Sequence, residues 1–228
     1  MVQDSLTSSL REGCISLLVI TRNRLLLECL PDRRGPLDKI EIVGRALSFD
    51  RAEGLLMRLA PSILLLDAPA FLAGFRSLGE IPSIRLGQTR LAVMAEDLTD
   101  TQLEIAMACG VDGLLSARDA LSDLAADLIA VAGGEVRTSP SLSDKVAIDP
   151  RTGRRHLRRR THAAKLSRKQ LDVLIQLASG RRVKDIAQLL DLSEKSVESQ
   201  KYRLMNRLGF SDRIELCRWA IREGLIQA

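Results

Sequence analysis

Leu166 to Ile226 reads LSRKQLDVLIQLASGRRVKDIAQLLDLSEKSVESQKYRLMNRLGFSDRIELCRWAIREGLI. Ser167 and Gln170 have the S-x-x-Q spacing of a capping box, in which each side chain satisfies a free amide of the first turn. Leu171, Leu174, Ile175 and Ala178 then recur at helical spacing, and Gly180 ends the element. Lys184 to Leu190 makes a second short helix, with Val183, Ile186, Leu189 and Leu190 inward. Asp191-Leu192-Ser193 is a tight turn, and Ser193 caps a third helix. On that helix Val197, Leu204, Met205 and Leu208 share one face, and Lys195, Ser196, Ser199, Tyr202, Arg203 and Asn206 share the other. Gly209 stops it, and Asp212 to Gly224 makes a fourth.

A short helix, a three-residue turn and a polar-faced helix form a helix-turn-helix. A B-form major groove, about 12 Å wide, admits one α-helix. The third helix would enter N-terminus first, where Lys195, Ser196 and Ser199 are small or flexible enough to approach base edges. Its free amides would also attract phosphate.

The pattern LS..Q..VL..LA.G......IA..L.LSEK.V......L...LG...R.EL...AI..GLI resembles the DNA-binding domain of the LuxR/NarL (FixJ) transcription factors. Its most specific part is Leu192-Ser193-Glu194-Lys195-Ser196-Val197. The resemblance implies that Glu198, Ser199 and Tyr202 face bases and that Lys184 meets phosphate. Gln170 stands where the family commonly has Glu. Among the neighbours, Lys195, Ser196, Lys201 and Arg203 complete the candidate DNA-binding set. Glu198 would accept a hydrogen bond from a cytosine amino group or turn away from the phosphates. The fourth helix, with Leu216, Trp219, Ala220 and Ile221, is expected to pack on the core, and the resemblance adds a dimer face.

Charge divides the 228-residue chain. Residues 151–228 hold 19 Lys/Arg and 8 Asp/Glu, so 19 − 8 = +11, and residues 1–150 hold 15 and 21, so 15 − 21 = −6. A basic C-terminal part beside an acidic N-terminal part fits a nucleic-acid binder with a separate sensory or docking domain. Cys14, Cys29, Cys109 and Cys217 are scattered without a CxxC pair, which reads as buried, reduced thiols. Ile15–Ile20 is too short to span a membrane, and no secretory leader is legible, so a cytoplasmic protein is expected.

The N-terminal part alternates apolar runs with helical patterns. Cys14–Ile20, Ile40–Ala46, Ser62–Leu66, Leu91–Ala95 and Gly113–Ser116 read as strands. Leu25–Leu30, Arg51–Leu59, Thr101–Cys109 and Ala120–Ala132 read as helices. Continuous apolar strands point to a parallel sheet covered on both faces, hence a flavodoxin-like (βα)5 fold with its crevice at the carboxyl ends of the strands.

Asp67 falls at such an end. Pro61-Ser-Ile-Leu-Leu-Leu-Asp67 and Gly110-Val-Asp-Gly113 resemble the receiver domain of response regulators. The resemblance makes Asp67 the candidate phospho-acceptor position. It also implies an acidic pair after the first strand, a Thr or Ser after the fourth and a Lys after the fifth. Here those places hold Thr21-Arg22, Ala95 and Ala117. Arg22 is expected to form an ion pair with Asp67, and Glu96 and Asp97 are further candidate carboxylates near the crevice.

Three segments result: a receiver-like domain at 14–135, a basic linker at 136–165 and a LuxR-type helix-turn-helix domain at 166–228. Within the linker, RTGRRHLRRRTHAAK from Arg151 to Lys165 has seven basic residues and no acidic one, and reads as an arm for DNA phosphates. His156 and His162 lack the companions of a metal site, and no cofactor is implied. The expected function is sequence-specific, phosphorylation-independent regulation of transcription. The expected partners are double-stranded DNA, a second copy of the chain in a homodimer and a protein at the receiver-like domain, with no membrane and no enzymatic activity. Two other readings compete: a conventional response regulator phosphorylated on Asp67, and a receiver-type interaction module with secondary DNA binding.

Overall fold

The computed structural model describes residues 14–22, 38–80, 87–159, 161 and 166–226; the expected helix over Leu25–Leu30 lies outside them. The described elements of the N-terminal part begin with β1 (Ile15–Ile20), β2 (Ile40–Ala46), α1 (Phe49–Leu59), β3 (Ile63–Asp67) and α2 (Ala68–Glu80). They continue with β4 (Arg90–Ala95), α3 (Asp100–Ala108), β5 (Gly113–Ser116), α4 (Leu121–Ala132) and β6 (Arg137–Thr138). A 3₁₀ turn (Pro140–Leu142) leads into β7 (Val146–Ile148) and β8 (Arg155–Leu157).

The main sheet has the order β2-β1-β3-β4-β5-β6, with every pairing parallel. Leu17, Val19, Ile63, Leu65, Ala92 and Met94 pack with Ala125, Leu128 and Val131 of α4. The alternate residues Leu18, Ile20, Leu64, Leu66, Val93 and Leu114 are equally buried. Successive strand residues point to opposite faces, so both faces are covered and the strands read as unbroken apolar runs. Each such leucine or isoleucine contributes about 1.5–3 kcal/mol on burial. The register between β1 and β2 shifts at Leu17/Leu18, leaving Val43 as an extra residue. Beside it, a Cβ on Gly44 would lie 2.8 Å from Leu18 Cδ1 and 3.1 Å from Leu59 Cδ1. A side chain there would press on β1 and on the inner face of α1.

Two features depart from the sequence expectation. The first is α2, whose Ala-Pro-Ala start and paired glycines hide its period. Proline is tolerated there because the first-turn amide has no helical partner. The second is the stretch expected as coil linker. Residues 137–138 extend the sheet to six strands, and β7 and β8 pair as an antiparallel hairpin. Polar anchors hold this extension. Asp127 on α4, 3% exposed, accepts from Arg137 Nε and Nη2 at 3.0 Å each and from Ser139 Oγ at 3.2 Å. Ser139 Oγ in turn accepts from the Ser116 amide at 3.1 Å.

The chain clusters into two compact units, one reaching Arg158 and the other running from Arg159 onward, with residues 99–105 grouped with the second. The helices of the C-terminal part are α5 (Arg168–Ala178), α6 (Val183–Leu189), α7 (Glu194–Leu208) and α8 (Arg213–Arg222). Leu171, Leu174, Leu177, Ile186, Val197, Leu204, Leu208, Leu216 and Trp219 form its core. Trp219 stacks obliquely on Phe210 at 5.7 Å, as a core residue. Ile221, expected in the core, is instead exposed.

Candidate nucleic-acid interface and sheet crevice

Three side-chain caps start helices of the C-terminal part, those of α5, α7 and α8. The capping box of α5 is complete: Ser167 N donates to Gln170 Oε1 at 2.9 Å, and Gln170 N donates to Ser167 Oγ at 3.3 Å. Ser193 Oγ accepts the Ser196 amide at 3.1 Å and starts α7. Asp212 Oδ1 accepts the Glu215 amide at 2.9 Å and starts α8. Arg213 donates to the Leu177 carbonyl from Nε and Nη2 at 3.0 and 2.6 Å, satisfying an oxygen at the end of α5. The turn before α7 holds Asp191 at φ 52°, a left-handed conformation that aspartate tolerates better than most residues.

With Val197, Leu204 and Leu208 buried, the opposite side of α7 faces solvent. Lys195, Glu198, Ser199, Tyr202 and Arg203 are exposed, Tyr202 at 70%. Ser196 and Lys201 are half-buried, and Lys184 is exposed on α6. Lys195, Ser196, Ser199 and Arg203 line an open groove of about 570 Å³ together with Ser167, Lys169, Gln170, Ser193 and Gln200. Two helix N-termini and three cations therefore meet one concavity, which favours an anion. Lys184, Glu198, Lys201 and Tyr202 lie outside that groove. Lys201 Nζ is 3.3 Å from Glu198 Oε2, so the awkward carboxylate carries its own counter-ion.

The crevice of the N-terminal sheet sits where the strand order reverses between β1 and β3. Asp67 ends β3 there. Its carboxylate accepts the Thr21 hydroxyl in a short hydrogen bond, the Arg22 amide at 2.9 Å and the Ala70 amide at 2.6 Å. Arg22 thus reaches Asp67 through its backbone, whereas an ion pair with the guanidinium was expected. Asp97 is turned elsewhere: Lys145, from the extension, donates to its Oδ1 at 2.8 Å and to the Leu98 carbonyl at 2.7 Å. That hydrogen bond, then the Lys145 charge, hold the Asp97 carboxyl below its ordinary range. Glu96 is exposed.

Residues 164–220 match the family model described as bacterial regulatory proteins, luxR family. The response regulator GacA of Pseudomonas aeruginosa is 22% identical over 219 residues, covering 94% of this chain and 99% of that protein. The C-terminal part of the chain is similar to the luxR family of bacterial regulatory proteins, and the chain over nearly its whole length is similar to a response regulator. The fold agrees with RcsB from Salmonella enterica serovar Typhimurium bound to promoter P1flhDC in the presence of the phosphomimetic BeF3-. That similarity has a TM-score of 0.64 at 21% identity and covers 90% of this chain and 97% of that one. A structure of two RcsB dimers bound to two parallel DNAs gives 0.53 at 19% identity, over 92% and 98% of the respective chains. Among the described residues no helix is long and apolar enough to cross a membrane.

To the candidate set read from the sequence, the groove adds Ser167, Lys169, Gln170, Ser193 and Gln200. Lys169 was legible in principle, since it lies in the first turn of α5, two residues after the capping Ser167. Thr21 as the partner of Asp67 had no local signal: the two residues are 46 apart in sequence and meet only through strand pairing. The basic stretch from Arg151 does not behave as one arm. Over 151–158 it is the turn and second strand of the hairpin, and Arg155 is drawn inward. Its Nη1 donates to the Asp112 and Arg137 carbonyls at 3.3 and 3.0 Å, and its Nη2 donates to the Val111 carbonyl. Burial lowers the pKa of this guanidinium, and the Asp112 charge opposes the shift.

Proposed function

We propose that the chain is a luxR-type response regulator, a transcription factor that binds its DNA sites as a homodimer without phosphorylation of Asp67, and that its receiver-like domain serves dimerisation or the docking of a protein partner. In this reading α7 lies in the major groove. Ser196, Glu198, Ser199 and Tyr202 face base edges, and Lys184, Lys195, Lys201 and Arg203 hold phosphates on either side. A dimer would engage two half-sites about 34–36 Å apart, one turn of DNA. The RcsB dimers on DNA support the assembly by analogy of fold.

The observation that carries the phosphorylation-independent part is the occupancy of the Asp67 carboxylate. A hydroxyl and two amides already share its two oxygens, and one of those amides belongs to the first turn of α2. Attack on a phosphodonor would have to break that arrangement. The places where the family resemblance implies a carboxylate pair, a hydroxyl and a lysine hold Thr21-Arg22, Ala95 and Ala117. The test is incubation of the full-length protein with a small phosphodonor and magnesium, read by intact mass beside Asp67→Asn. No added mass, with DNA binding by the untreated protein, is the expected result. A phosphate that appears in the wild type and vanishes in Asp67→Asn would return the protein to the conventional phosphorylation-controlled class.

A further inference from the structure

The β7–β8 hairpin sorts its residues into two faces. Val146 pairs with Leu157, Ala147 with His156 and Ile148 with Arg155. Val146 is buried, Leu157 is half-buried, and Arg155 is spent on three carbonyls of its own domain. The other face presents Arg154, His156 and Arg158, all exposed, and opposite His156 stands only the small Ala147. Arg151 in the turn and Arg159 after the strand are exposed as well. Arg158 Nε donates to the Ser143 carbonyl at 3.2 Å, which leaves the rest of its guanidinium outward. Asp149, at the turn, folds onto the Arg151 and Thr152 amides at 2.8 and 3.3 Å. From Pro150 to Arg159 the sequence contains no acidic residue.

We propose that this hairpin is a second DNA-contacting element, holding backbone phosphates that flank the sequence read by α7. The inference rests on the DNA-binding reading above. Cations on alternate strand positions stand about 6.6–6.8 Å apart. A run from Arg154 to Arg158 therefore spans about 13 Å, along which one DNA strand presents about four phosphates at 3.4 Å of axis each. An acidic peptide fits less well, because peptide recognition needs pockets for side chains and this face offers Ala147 and guanidinium groups. Chain length keeps the element close to the site. The nine peptide steps from Arg158 to Ser167 reach at most about 32 Å when fully extended, less than one turn of DNA. Contacts of this kind carry charge but no sequence information, so they raise affinity on every duplex alike.

The test uses the full-length protein, a labelled 30-base-pair duplex of mixed sequence and a salt series, with binding read by fluorescence anisotropy. The variant is Arg151→Gln/Arg154→Gln/Arg159→Gln, which spares the internal bonds of Arg155 and Arg158. Circular dichroism confirms its fold. Loss of three phosphate contacts makes the slope of log K against log salt shallower by about 2.7. A single Arg154→Glu change moves affinity the same way, and the preference for a selected binding site over mixed sequence stays constant in both. A variant with the wild-type slope and affinity overturns the hairpin proposal while leaving the α7 interface intact. A wild-type protein that binds no duplex at low salt would instead sink the DNA-binding reading, and the hairpin with it.

Discussion

Asp67 accepts three donors at once, and this predicts an order of stabilities rather than an order of activities. Asp67→Ala removes every acceptor and should cost about 2–3 kcal/mol. Asp67→Asn keeps an oxygen for the Ala70 amide and should cost about 1 kcal/mol. Urea midpoints would show the ranking; an alanine variant as stable as wild type would mean the carboxylate anchors nothing. Asp97 yields a pH prediction. Its folded pKa is depressed, so the Lys145 contact stabilises at every pH above the ordinary aspartate value of about 3.9 and is lost as pH falls through the lowered one. Carbonyl NMR of Asp97 should show titration below that ordinary value, and Lys145→Met should bring it back. At this scale the sequence was legible wherever a residue acts on near neighbours, as Ser167, Ser193 and Asp212 do. It was silent where partners come together only through folding, as with Asp67 and Thr21 or Arg155 and the Val111 carbonyl.

The elements of the two units were legible to different degrees, for a physical reason. Strands β1, β3, β4 and β5 are buried on both faces, so their identity is written in leucine, isoleucine and valine. Strands β6 and β8 read Arg-Thr and Arg-His-Leu, and polar short strands leave no hydrophobic trace. They exist because Asp127 is satisfied by Arg137 and Ser139, and the inward guanidinium of Arg155 satisfies the carbonyls of Val111, Asp112 and Arg137. Arg155→Met should therefore release the hairpin locally. Hydrogen exchange at 146–148 and 155–157 is expected to accelerate by about ten- to a hundredfold, equivalent to about 1.4–2.8 kcal/mol, while β1 and β3 stay protected. In the other unit, Gly209 ends α7 at φ 75°, and Gly209→Ala should cost about 1 kcal/mol through the left-handed backbone alone. Thermal unfolding would measure it, with DNA affinity little changed because the capped N-terminus of α7 is untouched.

At the scale of the molecule, the boundary of the first unit lies later than composition suggests. A chain ending at residue 135 would leave Asp127 buried without Arg137 and Ser139, at a cost of about 3–5 kcal/mol out of a typical 5–15. A chain ending at residue 158 keeps those partners. The longer fragment should unfold cooperatively, and the shorter one should melt at least 10 °C lower or fail to stay in solution. Equal melting temperatures would show the extension to be an ornament. The charge asymmetry of the chain divides it into an acidic and a basic part, but the basic stretch straddles the junction of the two compact units, and composition alone could not divide it. The rims of the sheet have a last consequence. One rim is β2, bent by the extra residue Val43. The other is β6, which stops after two residues. Neither offers the long, flat row of unpaired amides and carbonyls on which strands of another copy could stack. Edge-to-edge pairing of sheets between copies, the usual route to fibrous aggregation, is thereby disfavoured at both rims.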